Sequence, residues 1–368
     1  MYNLFLSSVM DNVISALSSM NLWIAVFKSV SIILLGFALT KLKLLPENTG
    51  KILTKLVMSV CLPCLAFSSF MTSISKETFQ SCLISFVYGF FIYIVFIFLA
   101  RFIFMWVKDK TKRKVMEILF VFGSTTFFGQ PLIQAVFADA FNDSSMFNVA
   151  YRVFLYSYAY YAICQSNDEN QTKPKTSEIL KKIFVNPVII ATFLGFILWS
   201  LQLIGDTTDA TKWYVVTVNK VTGAFWNIKV SLPPLYQTMN TLGSLSSPLV
   251  WIAIGCTLGK VSFKEAASDK TVWIYSFIKL IVAPVLNFVF LLLLNLIPGL
   301  NISFFTVAAT TLMWATPPAT VAITYCINAN KEATFASSCS LIGTFLSVLF
   351  IPVYIILLTI IQNAAIFA

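Results

Sequence analysis

The sequence contains no histidine. That absence removes the side chain that titrates nearest neutral pH and a common nitrogen ligand of zinc and haem. Charge is scarce as well, with Asp, Glu, Lys and Arg making up 11% of 368 residues, against about 25% in soluble domains. The 25 basic residues exceed the 15 acidic ones, but the excess is spread over short loops between apolar runs. Nucleic-acid binding needs a basic face, so it is excluded, and membrane orientation accounts for the charge. The seven cysteines are an odd number, which argues against a disulfide framework. Cys61-Leu62-Pro63-Cys64 has redox spacing, yet it sits in an apolar run without a strand pattern or further ligands, so packing is the better reading. A glycine-rich phosphate loop ending in lysine is missing, so direct ATP drive is unsupported. No carboxylate or cysteine–histidine constellation suggests a membrane enzyme acting on lipid or isoprenoid, and no cofactor is required. Met1 to Met20 carries Asp11 and no Lys or Arg, unlike the basic start of a secretory signal, and reads as a lead-in.

What the chain has in abundance is apolar length. Hydrophobic residues are 58% of the total and mean hydropathy is +0.85, values of an all-α polytopic membrane protein. Since about 20 helical residues cross a bilayer, the chain has room for about ten crossings. The runs are Leu22–Leu42, Ile52–Met71, Phe79–Val107, Val115–Ala138, Met146–Cys164, Val185–Ile204, Tyr236–Gly259, Val272–Leu296, Phe304–Cys326 and Phe335–Ile361. Lys108, Lys110, Lys112, Arg113 and Lys114 form the densest basic patch and mark the inside. Alternation from an external N-terminus then puts both termini outside. Asp139 and Asp143 fall in an external connection. The interval 205–234, with Trp213 and Trp226, reads as an extended external loop in partial contact with the interface. Lys28 is expected to snorkel, Lys279 to snorkel or face a cavity, and Arg152 to meet an anionic solute, Asp139 or a headgroup.

Two of the runs are broken. Trp314-Ala315-Thr316-Pro317-Pro318-Ala319-Thr320 carries consecutive prolines, which remove two backbone donors and push the preceding residue out of the helical region. Phe122-Gly123-Ser124-Thr125-Thr126-Phe127-Phe128-Gly129-Gln130-Pro131 gathers glycines, hydroxyls, an amide and a proline near mid-membrane depth. Freed backbone groups are tolerated in a bilayer only where protein or a water-filled cavity receives them. Kinked or closely packed helices are the bland alternative. As broken helices, the two segments place a solute site at Gly123, Ser124, Thr125, Thr126, Gln130, Pro131, Thr316, Pro317, Pro318 and Thr320. No residue there reads as catalytic or metal-binding.

The two breaks occupy equivalent places in two halves. Leu34-Leu35-Gly36-Phe37-Ala38-Leu39 in the first run is echoed by Phe193-Leu194-Gly195-Phe196-Ile197-Leu198 in the sixth, while Pro63 and Pro248 interrupt the second and seventh. Five crossings per half would invert the halves, so two inverted repeats are expected: 1–164 with its lead-in, and 185–368, joined by a cytoplasmic linker at 165–184. Paired broken helices in such halves point to a transporter site near mid-membrane, where helix ends offer partial charges to a solute.

The chain resembles the auxin efflux carrier family, including its bacterial malate and malonate-type members. The resemblance is carried by Leu62-Pro63-Cys64-Leu65-Ala66-Phe67, Phe128-Gly129-Gln130-Pro131-Leu132-Ile133, Asn186-Pro187-Val188-Ile189-Ile190-Ala191 with Gly195, Pro248-Leu249 with Gly255, and Pro317-Pro318-Ala319. It implies a fold similar to bile-acid and sodium/proton carriers, with runs four and nine crossed. It also implies a scaffold domain at 22–71 and 185–259, a moving transport domain at 79–164 and 272–361, and a homodimer in a bacterial cytoplasmic membrane. Family members typically have Asn where Ser124 stands. The expected activity is elevator-type secondary efflux or exchange of a small organic anion, such as a dicarboxylate or auxin-like carboxylate, with a coupled proton or sodium ion as a further partner. The alternatives are a passive channel or a transport-like sensor.

Overall fold

The computed structural model describes residues 20–46, 48–72, 74–164, 185–205, 209, 211–260, 263–364 and 366–367. The linker expected at 165–184 and most of the lead-in lie outside them. The described residues are mostly helical, with a single small sheet.

Helices α1 (Met20–Lys41) and α2 (Thr49–Ser68) are followed by α3 (Lys76–Ile103) and α4 (Lys110–Val121). After the first break come α5 (Gln130–Val136), α6 (Phe141–Phe154) and α7 (Tyr160–Cys164). The second half holds α8 (Pro187–Ser200), a hairpin, α9 (Ile228–Ser231), α10 (Pro233–Ser244), α11 (Ser246–Lys260) and α12 (Phe263–Ala266). It closes with α13 (Lys270–Asn295), α14 (Phe304–Trp314), α15 (Thr320–Asn328) and α16 (Ala333–Asn363). Four helices, α2, α3, α13 and α16, are long and apolar enough to cross a membrane, and shorter apolar helices accompany them.

Several starts are written in the sequence. Ser75 and Thr78 bond reciprocally at the head of α3, and the side chains of Asp109, Asn186, Asp269 and Ser303 accept backbone amides at the heads of α4, α8, α13 and α14. Each satisfies donors that a helix start leaves open. Large apolar side chains such as Phe98, Phe102, Leu293 and Leu349 point outward and stay exposed, as a lipid-facing surface requires.

Three of the prolines are accommodated in the same way. Pro63, Pro131 and Pro284 each follow a π-helical turn, at Val57–Cys61, Thr125–Gly129 and Ile278–Val282. The wider turn relieves the clash of the ring with the carbonyl behind it. The interruption expected at Pro63 is therefore a bulge within α2, and Pro248 sits inside the first turn of α11 after the chain kinks at Leu245.

The helices pack in two groups. In one, α1 lies on α11, and α2 lies on α8, α10 and α11. Gly36 and Gly255 allow the first contact, since a Cβ on Gly36 would overlap the Ile252 carbonyl and one on Gly255 the Ile33 carbonyl. Gly195 serves the second, where a Cβ would stand 3.2 Å from the Phe67 carbonyl oxygen. In the other group α3 packs on α6, while α13 packs on α14 and α16. Phe96 stacks on Trp314 at 4.0 Å. Bonds between the groups are few; Ser247 Oγ donates to the Pro131 carbonyl at 2.8 Å, and Asn142 Nδ2 to the Ser69 carbonyl at 3.2 Å.

In the extended loop expected at 205–234, the described residues from 211 onward form a folded unit. Strands β1 (Val215–Val218) and β2 (Val221–Ala224) pair antiparallel around Asn219 and Lys220, both at positive φ, as a two-residue hairpin turn demands. Tyr214 and Trp226 stack beneath it at 5.3 Å, and Trp213 is 84% exposed. At the opposite end of the molecule Lys112 pairs with Asp269 at 3.3 Å, joining the basic patch to the head of α13. Lys28 is exposed on α1.

Candidate functional site

The two breaks meet. α4 ends at Val121 and α14 at Trp314, and between them Gly123 and Pro318 form an isolated antiparallel bridge. Ser124 N–H donates to the Pro317 carbonyl at 2.7 Å, and Ala319 N–H to the Phe122 carbonyl at 2.9 Å. Each break supplies what the other lacks, and Pro318, which has no N–H, sits where none is needed. The Ser124 carbonyl then accepts from Phe128 and Gly129 at 2.8 and 3.1 Å to start the π turn, while Thr316 Oγ1 donates to the Met313 carbonyl at 2.8 Å to close α14. Crowding explains Gly123, because a Cβ there would overlap Thr316 Oγ1 and stand 3.2 Å from Lys279 Nζ.

Lys279 does not snorkel. It is fully buried on α13 and donates to the Phe120 carbonyl at 2.8 Å, with its ammonium 5.1 Å from the Trp314 ring centre and 5.8 Å from that of Phe120. A cation there complements the negative end of the α4 dipole. Arg152 is also buried, 2% exposed, and donates to Thr126 Oγ1 at 3.2 Å. Its burial leaves no surface for a headgroup, and it does not pair with Asp139; among the described residues neither Lys279 nor Arg152 belongs to an ion pair.

Of the ten residues expected at the site, all but Thr320 are buried or nearly so. Gly123, Ser124, Pro317 and Pro318 form the bridge and Thr316 lies against it. Thr125, Thr126 and Gln130 turn instead toward α6. Thr125 Oγ1 donates to Asn148 Oδ1 at 2.7 Å, Asn148 Nδ2 donates to Thr126 Oγ1 at 2.6 Å and Gln130 Oε1 at 3.0 Å, and Gln130 Nε2 donates to Ser145 Oγ at 3.1 Å. Pro131 presents its carbonyl to Ser247. Asn148 holds this network together and sequence reasoning missed it. The signal was there, since Ser144, Asn148 and Arg152 recur at four-residue spacing, one polar stripe on a helix within an apolar run.

A cavity of about 660 Å³ opens at the hairpin end. One wall comes from Ser68, Trp199 and Tyr236, the other from Glu77, Ser81, Gln134, Asn142 and Asp143, so it lies between the two packing groups. Among the described residues its lining includes Glu77, Asp139 and Asp143 but no Lys or Arg. None of the ten expected residues lines it; Gln134, one turn beyond Gln130, does. Asp143, expected in an external connection, is 3% exposed inside α6. Among the described residues no group of three His, Cys, Asp or Glu stands close enough to hold a metal.

A family model described as membrane transport protein matches residues 22–355. The chain belongs to this family. The auxin efflux carrier resemblance read from the short proline and glycine phrases is thereby borne out. The matched span of this membrane transport protein contains both breaks, Lys279, Asn148 and Arg152, and every described residue of the cavity wall. No curated protein matches the chain.

Proposed function

We propose that this membrane transport protein is a secondary transporter of a small organic anion, a dicarboxylate or an auxin-like carboxylate, working by elevator-type alternating access. The observation that carries the anion is the pair of buried cations at the crossing, Lys279 and Arg152, neither in an ion pair among the described residues. A buried charge without a counter-charge is costly, and an anionic solute supplies that counter-charge. Helix starts at the crossing add backbone dipoles of the same sense, and Ser124, Thr316 and Thr320 would be the side chains at the crossing that meet such a solute.

The two packing groups support movement of one against the other. α1, α2, α8, α10 and α11 make the scaffold, and the remaining long helices, with the crossing, make the transport domain. Gly36 of the first half packs on α11 of the second, and Gly195 of the second packs on α2 of the first, the reciprocity that two inverted repeats produce. We take the hairpin end as outside, because the basic patch and its Asp269 partner lie at the other end.

The test is uptake and efflux of labelled malate, malonate, succinate and indole acetate in proteoliposomes under imposed electrical, proton and sodium gradients. Saturable flux abolished by Ser124→Trp is expected. A large, non-saturating current would establish a channel instead.

A further inference from the structure

We propose that Asp143, together with Ser81, Ser85 and Thr306, forms a proton-binding site in the cavity wall that couples proton movement to transport. The proposal rests on the transporter reading for its consequence, but its chemistry stands on the geometry alone.

Three hydroxyls from two helices converge on one carboxylate oxygen. Ser81 Oγ and Ser85 Oγ of α3 donate to Asp143 Oδ1 at 2.6 and 2.7 Å, and Thr306 Oγ1 of α14 donates to the same atom at 2.9 Å. The hydroxyls also touch one another, with Thr306 Oγ1 3.1 Å from Ser81 Oγ and 3.0 Å from Ser85 Oγ. All four side chains are buried, and Ser81 and Asp143 reach the cavity.

Among the described residues no cation pairs with this carboxylate. Around it, α3 presents Glu77 and Cys82, the turn before α6 presents Asp139, and α10 presents Tyr236 across the cavity. Helices α5, α8 and α14 carry no titratable side chain. Arg152 lies nine residues further along α6, roughly 13 Å at the helical rise, and is engaged with Thr126. A buried carboxylate so placed has two ways to be stable: hydrogen bonds to its anion, or a proton.

The surrounding groups permit both. A hydroxyl donates to a carboxylate and accepts from a carboxylic acid by rotating its hydrogen, with no movement of heavy atoms. An ammonium or guanidinium partner would have locked the anionic state. A hydronium in the cavity gives its proton to the carboxylate, forming the acid O–H and leaving water; release is the reverse. Asn142 Oδ1, next in the chain, is buried without a donor and offers an acceptor to such a water, while the acidic lining raises the local cation concentration. Because α6 carries Asn148 and Arg152 and α14 runs to Trp314, the protonation state reports directly to both halves of the crossing.

The experiment is infrared difference spectroscopy of the purified protein in lipid across a pH jump, in light and heavy water. A carboxylic C=O band that shifts in heavy water is expected, absent in D143N. In T306V or S85A, which remove one donor from the carboxylate, its midpoint should move to higher pH. A band that persists unchanged in D143N, no shift in either hydroxyl variant, or the same spectral change produced by sodium at fixed pH would overturn the proposal. Proteoliposome flux separates the two readings. Titration of Asp143 without flux of any anion in the panel refutes the anion reading alone, whereas anion accumulation still driven by a pH gradient in D143N refutes the coupling alone.

Discussion

Lys279 Nζ lies 2.8 Å from the Phe120 carbonyl oxygen, a buried ammonium seated on the last turn of α4. The bond ties α13 to the end of α4 and places a positive charge beside the bridge between Gly123 and Pro318. Replacement by methionine keeps the length and removes the charge. K279M is expected to lower anion flux at least about tenfold, the effect of about 1.4 kcal/mol, while leaving the Phe120 carbonyl without its donor at a cost of about 1–3 kcal/mol. Initial rates in proteoliposomes and thermal unfolding in detergent check the two effects separately.

Gly123 has no room for a side chain. G123A is expected to destabilise by about 1–3 kcal/mol through the overlap with Thr316 Oγ1. Part of that should return in the double variant G123A/T316A, because the obstructing hydroxyl is gone. Additive losses in the two single variants would mean that the contact is not the cause.

Thr126 receives donors from Asn148 and Arg152 at once. T126V keeps the shape and strands both, so a loss of about 1–3 kcal/mol or more is expected, read as a lowered unfolding midpoint. T126S, which retains the oxygen, should recover most of it.

Asp269 caps α13 and pairs with Lys112. Burial pushes its carboxyl up, but the Thr271 donors and Lys112 outweigh that and hold it below the ordinary carboxylate value. A group depressed in the folded state contributes stability above its unfolded pKa and loses it as pH falls through the folded one. D269N should therefore be less stable than the parent at neutral pH, where the depressed carboxylate contributes through both the cap and Lys112, and the difference should shrink as pH falls, giving a shallower acid limb.

Trp213 in the hairpin and Lys112 in the basic patch lie at opposite ends. In whole cells, W213C should react with an impermeant maleimide and K112C should not. The reverse pattern would invert the orientation argued from the basic loops.

Much of this architecture is legible in the sequence because it rests on local rules. Consecutive prolines at Pro317 and Pro318 cannot continue a helix, and glycine, hydroxyls and proline around Gly123 mark its counterpart. What local reading could not supply is the direction of side chains. Thr125, Thr126 and Gln130 look like solute ligands by depth, yet they spend their bonds on Asn148 and Ser145 of α6, a tertiary choice. Asp143 looks external by position in an acidic stretch, but α6 starts two residues before it and carries it inward to three hydroxyls. The interval around Trp213 has alternation too short to distinguish from a loop, and only the Asn219-Lys220 turn hints at the pair of strands.

The bridge between Phe122–Ser124 and Pro317–Ala319 is written entirely in main-chain atoms. Side chains around it can therefore change without dismantling it, provided that Gly123 stays small. Ser124 joins the bridge through its backbone N–H, so its side chain can differ and leave the crossing intact. The frame of the crossing and the chemistry displayed around it are thus encoded separately, and the second can diverge while the first stays constant.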